Sequence, residues 1–394
     1  MLPFLFPWTL SSTTLAILAY AGATIFAWLL AWFFAGSGGV RANPLRAASI
    51  FGVVAGVGAI LIATRLTPIE PQPLPLHTYG LMIALAFISA IYLGGRAAER
   101  SATVDGAAFF QPGAPSLAAA AREAKSKGQE LGPIVGRKAR EHILDIGFWV
   151  FVGAMVGSRV LFIVVNWGGP DGYGADPMRI FQIWVGGFVF YGGFIGAALA
   201  ALVYCRSHRI DFRGLADIGA PLVALGHFFG RMGCMSAGCC WGKVCEDPGF
   251  ALGAHFPPGS MAYGSMVMDP AYSQYILEHG YTPALHPTQL YEGMGELALF
   301  FLLTWWAREK RFQGQILALW LMLYALLRLS IETFRGDFGR GMLLRWPEAD
   351  PVLLSTSQTV GIGMFVVGAI LYLRWRPKAE PGGEVGLEAQ VEAA

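Results

Sequence analysis

The sequence predicts an all-α polytopic membrane protein of about nine transmembrane helices. Of its 394 residues, 55% are hydrophobic and only 14% are charged. The mean hydropathy of +0.51 is too high for a soluble globular chain of this length. The apolar residues also gather in runs near the ~20 residues a helix needs to cross a bilayer. These runs are separated by loops that carry the basic residues. No basic stripe interleaved with aromatics is present, so no nucleic-acid partner is expected.

The spans are expected at 10–35, 47–65, 79–95, 143–165, 184–205, 215–230, 290–307, 315–334 and 357–373. The first follows MLPFLFPWTLSST, which has no Lys or Arg ahead of the apolar run. A cleaved signal peptide carries that positive region, so 10–35 reads as a retained helix, with no lipidation signal beside it. With 47–65 it forms an N-terminal hairpin within 1–70. The sixth span is short and carries Asp217 and His227; short or interrupted spans often line sites.

Orientation follows from the basic loops. Arg41 and Arg46 follow the first span, and Arg96, Arg100, Arg122, Lys125, Lys127, Arg137, Lys138 and Arg140 lie in 96–142. Arg206, Arg209 and Arg213 follow the fifth span, Arg308, Lys310 and Arg311 the seventh, and Arg374, Arg376 and Lys378 the last. Nine spans put all of these on one side, the cytoplasm, and the amino terminus outside. Arg335, Arg340 and Arg345 fall on the opposite side and need a reason other than topology. The 96–142 insert reads as a solvated loop with one exposed helix around SLAAAAREAKSKGQE. Residues 244–285, rich in Gly, Pro, Tyr and Met, read as an ordered irregular part of an outward cap over 231–289, and 377–394 as a disordered tail.

Chemistry is expected where polar groups and glycines interrupt the apolar pattern, above all in GHFFGRMGCMSAGCCWGK at 226–243. Arg231 stands there at the outer end of a span, at headgroup depth, where a guanidinium fork suits a phosphate. An interfacial snorkelling arginine is the structural alternative. HPTQLYE at 286–292 opens the seventh span. His286 is a candidate base, Pro287 suits a helix start, and Tyr291 and Glu292 should sit one turn further, near the interface. In YALLRLSIETFRGD, Tyr324, Arg328, Glu332 and Arg335 are spaced to share one helical face. Such a stripe must face protein or a polar cavity, and an Arg328–Glu332 pair could simply lock helices. Arg159, in GSRV, is a further candidate headgroup contact, with Asn166 nearby in sequence.

The cysteines Cys234, Cys239, Cys240 and Cys245 are spaced C-x4-C-C-x4-C, unlike the close pairs of a zinc knuckle, so no metal is expected. A disulfide involving Cys245 is chemically allowed outside the cytoplasm; buried thiols packing a glycine-rich loop are the alternative. Cys205, at a cytoplasmic span end, reads as inert. The chain has no P-loop, GxSxG, HExxH or GxGxxG motif, and no cofactor is expected.

Taken together, YGLMIALAF at 79–87, GSRVLFIVVNW at 157–167, GGFVFYGGFIGA at 186–197, GHFFGRMG, HPTQLYE and YALLRLSIETFR resemble the bacterial prolipoprotein diacylglyceryl transferases, over about 76–375. The resemblance implies transfer of a diacylglyceryl group from phosphatidylglycerol to the lipobox cysteine thiol of a preprolipoprotein, at the outer face of the inner membrane. It places Arg159, Arg231 and Arg328 on the family's functional arginines and Tyr79 on its first-span YGL motif. Asp217, Gly233, Gly242, His286, Gln289, Tyr291, Tyr324, Glu332 and Arg335 fall on other recurring positions. Arg231 and Arg328 are then expected to clamp headgroup and leaving group, with Arg159 as a further contact. Tyr191 and Tyr79 would orient the lipid, and His286 would accept the thiol proton. Two departures stand out. Cys234, Ala237 and Cys239 replace Asn, Asn and Glu of a GRxGNFxNxExxG-like signature. Tyr191 replaces the His of a GG-x-x-x-HGG motif; a phenol, titrating near about 10, donates a hydrogen bond but is a poor base. A diverged transferase with another acceptor or lipid, and a non-enzymatic lipid-binding or transport protein, are the alternative functions.

Overall fold

The computed structural model describes residues 78–104, 109–168, 172–174, 176–182, 187–247, 250–336 and 355–377. The expected spans at 10–35 and 47–65, the residues Arg340 and Arg345, and 378–394 lie outside them.

Within the described residues the helices are α1 (Thr78–Val104), α2 (Pro115–Lys127), α3 (Leu131–Val165), α4 (Phe190–His208), α5 (Phe212–Ala237), α6 (Met261–Met266), α7 (Ser273–His279), α8 (Thr288–Trp306), α9 (Gln315–Glu332) and α10 (Thr356–Trp375). A short 3₁₀ helix covers Pro177–Phe181 and another Ala307–Glu309. The only β pairing among them is isolated bridges. Helices Tyr79–Val104, Leu131–Val165, Gln315–Glu332 and Ser357–Trp375 are long and apolar enough to cross a membrane. Large apolar side chains stand exposed on several of them: Val156, Val160 and Val164 on α3, and Val366, Val367 and Ile370 on α10. In water such surface would be a liability; against acyl chains it needs no cover. The chain is a multi-pass membrane protein.

Two compact units divide the chain. One comprises 1–90, 220–311 and 315–376; the other comprises 91–219, 312–314 and 377–394. In the second, α3 and α4 pack backbone to backbone. Gly153 and Gly157 on α3 face Gly192 and Gly196 on α4, and a Cβ on Gly157 would collide with the Gly192 carbonyl. Without water to drive association, small residues at four-residue spacing let membrane helices approach closely.

The same unit corrects the reading of 96–142 as a solvated loop. α3 begins at Leu131, not at 143, and its 35 residues rise about 52 Å, well beyond a hydrocarbon core of about 30 Å. Its first turns bury Ile134, Val135 and Ala139 with Ala98, Phe109, Phe110, Leu117 and Ala120 in one core. α2 is the helix expected at SLAAAAREAKSK, opened by Pro115 and closed by Gly128 in the left-handed conformation. Glu123 ties it to α3: Lys127 and Arg137 each lie 2.7 Å from Glu123 Oε1. Hydrogen bonds from Lys127 and Arg137 hold that carboxyl down, to about 2.

In the first unit, Ala220, Ala224, Leu303, Ile316 and Trp320 knit α5, α8 and α9. α5 runs past 230, where its span was expected to end, to Ala237. The cap beyond it has its own core of Trp241, Phe256, Ala262, Met266, Ile276 and Leu285. α10 starts at the sequence Ser-Thr-Ser-Gln with a capping box, Ser355 accepting from Gln358 N and Gln358 Oε1 from Ser355 N.

Candidate active site

The first unit brings Arg231 and Arg328 onto one carboxylate. α5 supplies Arg231 and α9 supplies Arg328; between them α8 presents Glu292, only 2% exposed. Arg231 Nη2 donates to Glu292 Oε1 at 2.7 Å, and Arg328 Nη1 donates to Glu292 Oε2 at 3.3 Å. Arg328 Nη2 lies 2.8 Å from Glu332 Oε2, one turn along α9, and donates to Ser357 Oγ on α10 at 2.9 Å. Each guanidinium is thereby fixed from two or more directions, or from one buried charge, before any ligand arrives.

Glu292 is the residue that sequence reasoning did not single out. It was expected near the interface beside Tyr291, whereas Glu292 is buried and Tyr291 turns toward His286. The available signal was its place in HPTQLYEGMGE: Gln289, Glu292 and Glu296 recur at helical spacing on α8, and all three are buried. Glu296 Oε1 meets His227 Nδ1 at 2.8 Å, so the same stripe pairs with α5 twice.

Around this pair the other expected residues take these places. Tyr324 stacks on Trp320 and lies 5.3 Å, ring to ring, from His227. Tyr79 opens α1 half-exposed and packs on Gly233, where a Cβ would come within 2.7 Å of the Tyr79 ring. Gly242 is pressed between His286 and Phe334: a Cβ there would meet the two carbonyls at 2.5 and 2.8 Å. Gly242 N donates to His286 O, and Lys243 N to Phe334 O. This bridge, and not the helical spacing, positions Arg335: α9 ends at Glu332, and Arg335 is a buried bridge partner of Gly242. His286 Nδ1 lies 3.2 Å from the Tyr291 hydroxyl, among the rings of Phe250 and Phe334. Gln289 Nε2 and Thr288 Oγ1 donate to the carbonyls of Cys239 and Cys240. Arg231, Arg328 and Arg335 thus balance the carboxylates of Glu292, Glu332 and Glu296 in formal charge.

All five cysteines are free thiols, so of the two readings of Cys245 it is the buried thiol, and not the disulfide, that the structure holds. Cys245 is buried in the cap, while Cys234, Cys239 and Cys240 come together. Hydrogen bonds from Cys234 and Cys239 hold the Cys240 thiol well below its ordinary value, with Arg335 and Arg231 adding to the effect. Cys239 is pushed up, its hydrogen engaged by Cys234 and Cys240.

Arg159, Tyr191 and Asp217 belong to the second unit. Arg159 is buried and donates to the carbonyls of Gly187, Arg179, Ile180 and Gln182, flanked by the rings of Phe162 and Tyr173. Any ligand of this guanidinium would have to exchange for those carbonyls. Tyr191, in the first turn of α4, is 48% exposed. Asp217 is buried and accepts from Gly314 N at 2.9 Å.

Fold and site define a class: a multi-pass helical membrane protein with two arginines gathered on a buried carboxylate inside one of its units. The prolipoprotein diacylglyceryl transferase family matches residues 114–374, and the chain belongs to it. A phosphatidylglycerol–prolipoprotein diacylglyceryl transferase of Caulobacter vibrioides (strain NA1000 / CB15N) is 31% identical over 324 residues, 78% of this chain and 90% of the relative. That of Escherichia coli O1:K1 / APEC is 29% identical over 312 residues, 78% of this chain and 92% of its own. That of Clostridium tetani (strain Massachusetts / E88) is 28% identical over 232 residues, 59% and 80% of the two chains.

Proposed function

We propose that the protein transfers the diacylglyceryl group of phosphatidylglycerol to the lipobox cysteine thiol of a prolipoprotein. The observation that carries this reading is the pair Arg231 and Arg328 on the shared carboxylate of Glu292. The thiolate attacks the glyceryl carbon that bears the phosphate; the C–O bond breaks, and glycerol phosphate leaves with the electron pair. Charge grows on the departing phosphate, so preorganised guanidiniums aimed at it contribute most of the help. A thiol ordinarily titrating near about 8.5 needs only modest activation, and His286 takes its proton.

In this reading Arg231 and Arg328 are the catalytic clamps and Glu292 is their positioning residue. Tyr324, Glu332, Arg335, Gln289, Gly233 and Gly242 shape the lipid side of the site, and Tyr79 orients the lipid. Arg159 contributes by holding the carbonyls of Arg179, Ile180, Gln182 and Gly187, and contacts lipid only by exchanging those partners. The transferase domain is 76–375, and the site opens to the outer face of the bacterial inner membrane. Purified protein given labelled phosphatidylglycerol and a lipobox peptide should release glycerol phosphate in proportion to labelled peptide. Expression should also sustain a strain depleted of its own transferase. Absence of both, from protein shown to be folded in the membrane, would exclude this reaction.

A further inference from the structure

At the end of α5, past the arginine pair, three thiols converge. The Sγ atoms of Cys234, Cys239 and Cys240 all lie within 4.8 Å of one another. Around a tetrahedral zinc-class ion with metal–sulfur bonds of about 2.3 Å, sulfurs sit about 3.8 Å apart, so the trio is within about 1 Å of closing on one ion.

The backbone builds this convergence. Gly238 ends α5 in the left-handed conformation (φ +65°), and Cys239 N returns to Cys234 O at 3.1 Å, the long bond of a Schellman cap. That reversal folds Cys239 back onto the helix end that carries Cys234. Cys240 then adopts φ +60°; among the described non-glycine residues only Arg209 shares a positive φ. A β-carbon disfavours this conformation, which persists where surroundings over-determine it and which clusters at functional sites. Here Thr288 Oγ1 grips the Cys240 carbonyl at 2.8 Å and Gln289 Nε2 the Cys239 carbonyl at 2.6 Å. The strained residue is thus the one that turns the third thiol toward the other two.

We propose that Cys234, Cys239 and Cys240 bind one thiophilic metal ion of the zinc class as three thiolates, leaving its fourth position open. Three protein ligands and an open position are the pattern of catalytic zinc, whereas closed four-ligand sites are structural. Three thiolates on a divalent ion leave a formal charge of −1, and Arg231, three residues before Cys234 on α5, is the nearest cation along that helix. The role of the open position rests on the transferase reading. There the open position would hold the acceptor thiol as a thiolate, and Arg231 and Arg328 would take the departing phosphate. The metal would then do what the Asn, Asn and Glu of the family-like signature do not offer: hold a thiolate.

Full-length protein, reduced and solubilised in detergent, should be titrated with Cd²⁺ while the ultraviolet sulfur-to-cadmium charge-transfer band is recorded. The band should saturate at one equivalent and be displaced by Zn²⁺. Cys234→Ser, Cys239→Ser and Cys240→Ser should each weaken Cd²⁺ binding at least tenfold, while Cys245→Ser should not change it. No band in reduced wild type, or a band that survives in the three variants, would overturn the metal site. If a variant fails to fold, the metal-to-protein ratio and the band of the wild type still decide. Lipid transfer measured on the same samples separates the two ideas. Metal binding without transfer leaves the site standing and removes the reaction; transfer without metal binding removes the site alone.

Discussion

Glu292 is the hinge of the site at the scale of single residues. It supplies one buried countercharge to two guanidiniums, and removing a partner from a buried ion pair costs roughly 3 kcal/mol because the remaining charge stays desolvated. Glu292→Gln keeps the shape and an acceptor oxygen but loses the charge. It should lower the thermal unfolding midpoint of the solubilised protein and slow lipid transfer by about 100-fold, as misplaced clamps do. A variant with wild-type midpoint and rate would show that the carboxylate neither holds nor aims the arginines. The arginines, Tyr324 and Glu332 were visible in the sequence because charge inside apolar runs is costly and therefore informative. Glu292 was harder to see: at the mouth of a helix, beside Tyr291, a carboxylate is ordinary, and only the distant partners on α5 and α9 make it central. The cysteine trio was hidden for a similar reason. C-x4-C-C looks wrong for a metal when read as a linear spacing, but a Schellman reversal at Gly238 brings the thiols together.

Helices were legible wherever hydropathy and caps agreed. α10 begins within two residues of its expected span, at the Ser355–Gln358 capping box, and α8 begins just after Pro287. The differences concern helices that run on past their apolar stretch. α3 extends twelve residues ahead of 143 because Ile134, Val135 and Ala139 belong to a core built with α2, a long-range partnership that a hydropathy window does not register. α5 likewise continues into the polar segment that holds Arg231 and Cys234. The α3–α4 contact has a direct test. Gly157→Val places a branched side chain against the Gly192 backbone, and overpacking of this kind costs about 1–3 kcal/mol. The yield of folded protein and its unfolding midpoint should both fall, while Val156→Ile, on the exposed face of the same helix, should leave them unchanged. Equal tolerance of the two substitutions would mean the glycines do not set the helix approach.

Across the whole molecule, most of the candidate site residues lie in one unit. The paired arginines, His286 and the thiol trio all fall within 220–311 and 315–376, and the second unit holds the α2–α3 core and the carbonyl-bound Arg159. The alternation of basic loops led to the expected topology, and Arg335, one of three arginines on the wrong side of it, has a local reason to be there: it is buried as the bridge partner of Gly242. In the proposed reaction Arg231 and Arg328 act together on the phosphate of the lipid donor. Its most direct test is the rate of transfer from labelled phosphatidylglycerol to a lipobox peptide by Arg328→Ala and Arg231→Lys, each confirmed as folded. Loss of one charge-assisted phosphate contact should slow Arg328→Ala at least 100-fold, and Arg231→Lys, which keeps the charge but not the fork, should fall at least tenfold. Wild-type rates in both variants would contradict the account.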